Sequence, residues 1–396
     1  MTEWIECTLD KLGEIVGGAT PSTKCEDYYG GSIPWITPKD LSSFKGRYIT
    51  SGERNITEKG LASCSAQMMP KDAVLFTSRA PIGYVAIASQ SVCTNQGFKS
   101  IVVNEKADPL FVYYLLKYNK DAIEAMGSGT TFKEVSGKTM RAVKVRIPLD
   151  VSYQKRIAAV LDSLDTKIEN NERINDNLQQ QAELLYHERF ETADRSNLPV
   201  GWRIVRLGDV ATISKKSFNP AKEPEMLLEH YSIPAFDEAH FPVFELSTAI
   251  KSNKFVVDNT CFMISKLNPT TKRVWKPYCL TENAVCSTEF IVYKANRQEI
   301  TDFLYSVIDS SSFSDFMCSH VTGSTGSRQR TTPSDTLAFE LILPTAEEIA
   351  EYQGIVSPMF EQIKCNAIEN DELKRLRDSL LPKLMSGEID VSSIQL

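Results

Sequence analysis

The sequence has no run of eighteen apolar residues, and its first ten residues carry two glutamates instead of a basic segment followed by an apolar one. A membrane-spanning helix and a secretory signal are therefore not expected. The nine cysteines include no C-x-x-C pair. This pattern favours reduced thiols in a cytoplasmic protein over a disulfide framework.

Signatures of catalysis are also scarce. The four histidines show no metal-ligand spacing with one another or with the cysteines. Neither common type of glycine-rich nucleotide loop is present. We therefore expect no catalytic residue, no metal and no cofactor in this chain.

What the sequence does contain is a run from Asp150 to Arg189 without glycine or proline. At about 1.5 Å per residue, such a helix would be roughly 55 to 60 Å long. Its apolar positions alternate four and three apart, which is typical of a coiled-coil seam. The seam consists of Ile157, Leu161, Leu164, Ile168, Asn171, Asn175, Leu178, Ala182 and Leu185.

A second seam lies between Glu347 and Leu384. Asn171 and Asn370 occupy corresponding positions when the two stretches are overlaid, and a buried asparagine at such a position sets the alignment of paired helices. We expect the two helices to pair; the alternative is that each packs separately on a globular part. Gly354 and Ser357-Pro358 predict that the second helix is broken into two pieces. Its seam consists of Val356, Phe360, Ile363, Ala367, Asn370, Leu373, Leu376, Leu380 and Leu384.

The net charge of -7 is distributed unevenly along the chain. Residues 148–191 and 345–396 together hold 10 basic and 19 acidic residues, whereas the two remaining parts hold 34 and 32. The helical segments thus carry -9 and the remainder +2. Overall acidity therefore does not exclude a basic, nucleic-acid-binding face on the remaining parts.

The chain also repeats itself at a period close to half its length. Trp4 with Leu12-Gly13-Glu14-Ile15 returns as Trp202 with Leu207-Gly208-Asp209-Val210. Three later landmarks recur in the same order: Phe76 to Pro81 with Met263 to Pro269, Cys93 to Phe98 with Cys286 to Phe290, and Gly127 to Thr130 with Gly323 to Gly326. In this pairing, Lys266 replaces Arg79.

Each half reads as a globular α+β unit followed by a helix. Apolar runs predict strands at 73–76, 83–88 and 99–103, and helical periodicity predicts helices at 107–126 and 300–317. The predicted domains are 1–147 and 192–344, with helices at 148–191 and 345–396. Thr345 to Glu348 forms a capping-box pattern at the start of the second helix.

At these residues the chain resembles the DNA-specificity subunits of type I restriction-modification systems. The resemblance covers essentially the whole chain, and five motifs in this order make it specific. They are Pro34 to Leu41, Ser78 to Gly83, Thr94 to Lys99, Gln154 to Ile157 and Leu380 to Ile389.

The resemblance implies two pseudo-repeated target recognition domains separated by a long antiparallel two-helix coiled coil. Each domain would read one half of a bipartite site in double-stranded DNA. The helices would set the half-site spacing, at about one to two helical turns, and dock two methyltransferase subunits. Those partners would supply S-adenosylmethionine and the chemistry, and a motor and nuclease subunit is a further partner in some complexes.

Candidate DNA contacts are cations and amides in the globular parts, because cations bind phosphates while arginine and glutamine can read guanine and adenine. The structural alternative is a solvated or hydrogen-bonded surface residue in each case. In the second half, Trp275 could stack on a base, but a tryptophan is more often a core residue. The candidates are Lys39, Arg79, Gln96, Lys99, Thr130, Thr131 and Lys133, then Lys266, Lys272, Arg273, Arg328 and Arg330.

Two other functions are weighed against DNA recognition. The first is a structural protein whose paired helices drive assembly and whose globular ends bind protein or RNA. The second is a complete methyltransferase, because Asn268-Pro269 begins like the Asn-Pro-Pro-aromatic motif of adenine methyltransferases. The second proline and the aromatic residue are missing, so a non-catalytic subunit is the preferred prediction.

Overall fold

The computed structural model describes residues 3–129, 133–322 and 329–394. The chain divides into two compact units, one comprising Met1–Glu169 with Leu373–Leu396 and the other comprising Asn170–Glu372. Each unit contains one globular half and a portion of both long helices. The domain boundaries expected from the sequence stay predictions. No helix within the described ranges is long and apolar enough to cross a membrane.

The elements follow one another in two similar series. The first series is β1 (Trp4–Thr8), β2 (Gly13–Gly17), β3 (Tyr29–Ile36), α1 (Pro38–Ser42), β4 (Tyr48–Ile49), β5 (Arg54–Ile56), α2 (Glu58–Ala62), β6 (Val74–Ser78), β7 (Ile82–Ala88), β8 (Cys93–Thr94), β9 (Lys99–Val103), α3 (Pro109–Tyr118), α4 (Lys120–Ala125), α5 (Gly137–Ala142), β10 (Lys144–Pro148) and α6 (Val151–Tyr186). The second series is β11 (Arg203–Arg206), α7 (Leu207–Val210), β12 (Ala211–Ser214), β13 (Ser217–Phe218), β14 (Leu227–Tyr231), α8 (Ile233–Ala239), β15 (Val243–Leu246), β16 (Lys254–Val256), β17 (Cys261–Ser265), β18 (Val274–Trp275), β19 (Ala284–Ser287), β20 (Phe290–Ala295), α9 (Thr301–Asp309), α10 (Ser311–Ser319), β21 (Val321–Thr322), β22 (Arg330–Thr331), α11 (Pro333–Thr336), β23 (Glu340–Leu343) and α12 (Ala346–Ser386).

The sheets confirm the internal repeat. In the first unit β1 pairs with β10, β2 with β9, and β6 with both β7 and β9, while β3 and β8 run parallel. In the second unit β11 pairs with β23, β12 with β20, and β17 with both β18 and β20, while β14 and β19 run parallel. The predicted strands are β6, β7 and β9, and each predicted helix is a pair, α3 with α4 and α9 with α10.

Strand register corrects one landmark of the repeat. Thr77 lies opposite Phe98 in the first unit, and Ser265 lies opposite Phe290 in the second. Thr77 and Ser265 are therefore equivalent, and the residue that takes the place of Arg79 is Leu267, not Lys266. Two backbone angles agree with this assignment, since Ala80 and Asn268, each just before a proline, have φ values of 49° and 47°.

The core of the first unit lies between its larger sheet and the helices that cover it. Helix α3 begins after Asp108, whose Oδ1 accepts a hydrogen bond from the Phe111 N–H at 3.0 Å, and this satisfies a donor that the first turn would otherwise leave unpaired. Its buried side chains pack against β6 and β7, and Ile157 and Leu161 of α6 join the same cluster. The first long helix thus belongs to the domain core.

Arg47 connects the globular part of the first unit to α6. Its Nε and Nη2 donate to the two carboxylate oxygens of Glu169 at 3.1 and 3.0 Å, and its Nη1 pairs with Asp162. The Arg47 side chain is only 6% exposed. A planar guanidinium with several fixed donors suits such a buried site.

In the second unit the two long helices pair in antiparallel orientation. Asn171 contacts Asn370, Asn175 contacts Asn366, and Ala182 contacts Tyr352, so the partner's number falls as the first number rises. Within the first unit, Asp165 similarly contacts Arg377. The predicted antiparallel coiled coil is confirmed. Among the predicted seam positions, Leu376 is an exception, because its side chain is 46% exposed.

The expected break in the second long helix is wrong. Helix α12 is continuous through Gly354 and Pro358. Proline in a helix interior removes one hydrogen bond and costs about 3 kcal/mol. Burial of Tyr352, Val356 and Phe360 in the core of the second unit offsets this cost. The predicted capping box is present, with Glu348 N donating to Thr345 Oγ1 at 3.3 Å and Thr345 N donating to Glu348 Oε2 at 3.1 Å.

Candidate nucleic-acid interface

Three segments of the first unit meet at Ser78, where β6 ends. The Ser78 N–H donates to the Gly97 carbonyl at 2.7 Å, and the Ser78 carbonyl accepts from the Val135 N–H at 3.0 Å. We call the meeting point of Ser78-Arg79, Asn95 to Gly97 and Lys133 to Val135 the first corner. It brings together residues that are far apart in the sequence.

Two candidate cations of the first corner share one carboxylate. Arg79 Nη1 lies 3.5 Å from Glu134 Oε2, and Lys99 Nζ lies 3.4 Å from Glu134 Oε1. The Arg79 and Glu134 side chains are 35% and 38% exposed, so both face solvent in part. The corner therefore presents a net positive but internally paired surface. Lys133, next to Glu134, is exposed.

The glutamine of the predicted site lies on the turn between β8 and β9. Gln96 is exposed, and its Oε1 accepts a hydrogen bond from Thr20. The adjacent Gly97 is required by packing, because a Cβ there would lie 2.7 Å from Pro38 Cγ. This close approach places the start of α1 beside the first corner.

Lys39 lies in α1 but pairs away from the carboxylate of the corner. Its Nζ lies 2.7 Å from Glu53 Oε2, and both side chains are largely exposed. The hydrogen bond that Lys39 donates to Glu53 raises the pKa of Lys39 above its usual value. The neighbouring motif residues have structural roles: Asp40 accepts from the Thr37 N–H at 2.7 Å, and Trp35 is buried. Thr130 and Thr131 lie outside the described residues.

The second unit has an equivalent meeting point at Lys266. The Lys266 N–H donates to the Glu289 carbonyl at 2.9 Å, and the Lys266 carbonyl accepts from the Thr331 N–H at 3.1 Å. An isolated bridge joins Leu267 to Arg330, as one joins Arg79 to Glu134 in the first unit. We call this junction of Lys266-Leu267, Glu289 and Arg330-Thr331 the second corner. Glu289 thus stands where the first unit has Gly97.

Arg330 and Glu289 form a bidentate ion pair at the second corner. Arg330 Nε lies 3.0 Å from Glu289 Oε2, and Nη2 lies 3.1 Å from Oε1. The hydrogen bonds and charge of Glu289 raise the pKa of Arg330 above its usual value. The Arg330 side chain is 43% exposed and that of Glu289 is 29% exposed. This geometry fixes the plane of a guanidinium at the surface.

The structure does not bring Lys272 and Arg273 to the second corner. Arg273 donates from Nε and Nη2 to the Asp237 carboxylate at 2.6 and 2.8 Å, and its side chain is 12% exposed. Lys272 pairs with Glu183 of α6 and lies 3.0 Å from Asp309 Oδ1. These ion pairs give both cations a structural role within the second unit.

The remaining candidates of the second half are Trp275 and Arg328. Trp275 is 1% exposed and lies in the core, so it is not placed to stack on a base. Arg328 lies outside the described residues. Over the part of the chain that the structure describes, no group of three histidine, cysteine, aspartate or glutamate side chains could hold a metal ion.

Glu134 and Glu289 are the components of the site that sequence reasoning missed. A search for DNA contacts selects cations and amides, and carboxylates are set aside because they repel phosphates. A usable signal existed for Glu289, which stands beside the repeated phenylalanine at the place where the first half has Gly97. No comparable signal marks Glu134, which is 55 residues from Arg79 in the sequence.

A repeated α+β unit with paired long helices is an architecture found among solved structures. The S subunit of a type I restriction-modification system from M. genitalium superposes with a TM-score of 0.62 at 16% identity, covering 97% of this chain and 96% of that one. The likeness establishes a shared fold.

Sequence comparison establishes the family. A family model described as the type I restriction modification DNA specificity domain matches residues 1–180. The MjaIX specificity subunit of Methanocaldococcus jannaschii is 33% identical over 430 aligned positions, covering 99% of this chain and 95% of the relative. The EcoR124I/EcoR124II specificity subunit of Escherichia coli is 29% identical over 167 positions, 40% of each chain. The chain therefore belongs to the family of type I restriction-modification DNA specificity subunits.

Proposed function

We propose that this chain is the non-catalytic, DNA-reading subunit of a type I restriction-modification complex, with each globular domain reading one half of a bipartite site. The observation that carries the proposal is the recurrence of one backbone junction in both units. Each corner places partly exposed charged side chains at the end of the same strand, yet the side chains differ between the two. Two different half-sites require this combination of common frame and different chemistry.

The two long helices would dock two methyltransferase subunits and set the distance between half-sites. The segments that contain them carry the acidic excess of the chain, -9 in total, which leaves the globular parts suited to DNA. S-adenosylmethionine and the methylation chemistry would then belong to the partner subunits, and a motor and nuclease subunit would complete a restriction complex. Such a complex would act on DNA in the cytoplasm.

The first test is a methylation map. Adenine methylation would be sequenced genome-wide in cells with and without this gene, with the methyltransferase subunits present in both. The proposal expects methylation at a split motif that disappears when the gene is deleted. Methylation that is unchanged by the deletion would refute it and favour an assembly protein instead.

A double variant and its control then test whether the first corner reads one half-site. Replacing both Arg79 and Lys99 by alanine is expected to weaken binding of the assembled complex to its site by about 5- to 150-fold if one bidentate base contact is lost, and to relax recognition in one half-site only. The control is Lys106→Ala, because Lys106 is exposed and lies in the turn after β9. Equal relaxation of both half-sites would contradict the assignment of one domain to each half.

A further inference from the structure

We infer that a cavity of the first unit, lined by Lys45, Lys117 and Lys120, binds one backbone phosphate of the DNA beside the half-site that the first corner reads. We call it the lysine cavity. The inference rests on the proposed function and adds to it a phosphate site whose lysines lie outside the five sequence motifs.

The lysine cavity has a volume of about 280 Å³. The end of α1, the first half of β7 and the helices α3 and α4 contribute its walls. Phe44, Tyr84 and Tyr113 line it beside the lysines, and none of the described residues that line it is acidic. Since a water molecule takes up about 30 Å³ in the liquid, the cavity has room for a phosphate group, and its charge is positive.

Lys117 is the least exposed of the three lysines. Its Nζ donates to the Tyr113 hydroxyl at 3.4 Å and lies 5.2 Å from the centre of the Tyr113 ring. Within residues 3–129, 133–322 and 329–394, no carboxylate forms an ion pair with it. Burial lowers the pKa of Lys117, although the charge of Asp165 opposes the shift. An anion that entered the cavity would stabilise this half-buried cation.

The second unit fills the corresponding place with an ion pair of its own. Phe111-Val112-Tyr113 of α3 matches Phe303-Leu304-Tyr305 of α9. Counted from these residues, Lys117 stands where the second unit has Asp309. The Asp309 side chain is buried, and its Oδ1 lies 3.0 Å from Lys272 Nζ. The second unit thus supplies both charges, whereas the first unit supplies the cations and leaves the anion to a ligand.

The lysine cavity adjoins the first corner along two elements. Along β7, Gly83 of the cavity is four residues from Arg79 of the corner, at most about 13 Å of extended chain. Along α1, Leu41 of the cavity is three residues from Pro38, which packs against Gly97, or about 5 Å of helix. The major groove is about 12 Å wide. A duplex read at the corner therefore brings a phosphate strand within reach of the cavity.

The alternative anion is a carboxylate of a methyltransferase subunit. Carboxylates are matched best by the planar fork of an arginine, and the described residues that line the cavity include lysines but no arginine. Lysine, a point charge on a flexible stem, is a common ligand of phosphates. The chemistry of the cavity and its position beside the corner therefore both favour a DNA phosphate.

The experiment uses the complex assembled from this chain and its methyltransferase subunits, bound to duplexes that carry the motif defined by the methylation map. Each phosphate in and beside both half-sites is replaced in turn by an uncharged methylphosphonate. The cavity variant carries Lys45→Gln, Lys117→Gln and Lys120→Gln. The control variant makes the same change in charge at exposed lysines of the first unit that do not line the cavity, namely Lys59→Gln, Lys71→Gln and Lys106→Gln.

Neutralising one phosphate beside the first half-site is expected to weaken binding by the wild-type complex and by the control variant. The cavity variant should not respond at that phosphate. This readout does not depend on how well a variant folds, because it compares two duplexes for one protein. Lys45 and Lys120 are exposed, so a double variant that keeps Lys117 should fold like the wild type and show a reduced response.

The salt dependence gives a second readout. Loss of one phosphate contact should make the slope of log K against log salt shallower by about 0.9. The ratio of wild-type affinity to cavity-variant affinity should therefore shrink by about 3.5-fold between about 50 and about 200 mM salt. Binding to cognate and unrelated duplexes should weaken alike, because a phosphate contact carries no sequence information.

Wild-type and cavity-variant complexes that respond alike to every methylphosphonate would overturn the inference. So would equal slopes for the cavity and control variants, because net charge alone would then be responsible. Loss of a methyltransferase subunit from the cavity variant in native mass spectrometry, with the wild-type response to methylphosphonates, would assign the cavity to the partner protein. These outcomes leave the proposed function intact, which is refuted instead by a wild-type complex without a split motif.

Discussion

The side chain of Asn171 donates from Nδ2 to Oδ1 of Asn370 at 2.9 Å. Both residues are almost completely buried between the paired helices of the second unit, at 1% and 5% exposure. One helical turn further, Asn366 Nδ2 donates to Asn175 Oδ1 at 2.8 Å. Two successive amide pairs can both be satisfied in one alignment of the helices, and sliding by a turn would leave buried amides without partners.

Replacing one member of the first pair should therefore destabilise the second unit more than replacing both. Asn370→Leu leaves Asn171 without this buried acceptor, and we expect a cost of about 1 to 3 kcal/mol, seen as a lower melting temperature of the full chain. The double variant Asn171→Leu, Asn370→Leu is expected to melt at or above the wild-type temperature, because both polar groups are removed together.

The control for this prediction is Ile174→Asn, a change on the exposed side of the same helix, where the wild-type residue is 47% exposed. It should alter the melting temperature little. Additive losses in the double leucine variant, with no coupling between the two positions, would show that the amide pair does not specify the alignment.

Those two asparagines could be found from the sequence because seam positions follow from a regular four-three spacing. The equivalence of Leu267 with Arg79 could not be found in this way. Aligning the two serines, Ser78 and Ser265, is natural when only letters are compared, but strand pairing makes Thr77 the equivalent of Ser265. Pairing depends on contacts between distant residues, which a single sequence does not reveal.

The two corners show the same limit of sequence-based prediction for the residues of the candidate site. Arg79, Lys99, Lys266 and Arg330 could be proposed because cations are visible in any sequence. Glu134, the carboxylate that pairs with both Arg79 and Lys99, could not, since it lies on a different segment that the fold brings close. Lys272 was selected by the same criterion, yet it pairs with carboxylates inside the second unit. Residue type thus indicates candidates, and the fold decides which of them face a ligand.

A pH dependence is expected from Asp309, which is buried at the end of α9. Burial raises its pKa to about 7, although Lys272 opposes the shift; Glu183 adds to it. Because the folded-state pKa of Asp309 lies above its usual value, folding is stabilised by the protonated carboxyl. This contribution to the free energy of unfolding is complete below about pH 4 and is lost as the pH rises through about 7. The free energy of unfolding should therefore fall by on the order of a few kcal/mol between pH 5 and pH 8. The melting temperature should fall with it.

The variant Asp309→Asn should remove most of this dependence, since an amide resembles the protonated carboxyl but does not ionise. We expect the melting temperature of the variant, measured by calorimetry in buffers of equal ionic strength, to rise relative to that of the wild type as the pH rises. Asp315→Asn, at an exposed position on α10, is the control. A parallel pH profile for wild type and Asp309→Asn would mean that Asp309 is ionised throughout the range.

The salt dependence of DNA binding should respond to Glu134, because this one carboxylate holds Arg79 and Lys99 at 3.5 and 3.4 Å. Glu134→Gln removes its charge and makes two cations available to phosphates. Each added phosphate contact steepens the slope of log K against log salt by about 0.9, so the assembled complex should show a slope steeper by about 1 to 2. It should also bind unrelated duplexes more tightly at low salt.

The control is Glu105→Gln, which makes the same change in net charge at an exposed residue in the turn after β9. An equal effect of both variants would mean that overall charge is responsible, whereas loss of the extra slope on adding Arg79→Ala to Glu134→Gln would trace it to the first corner.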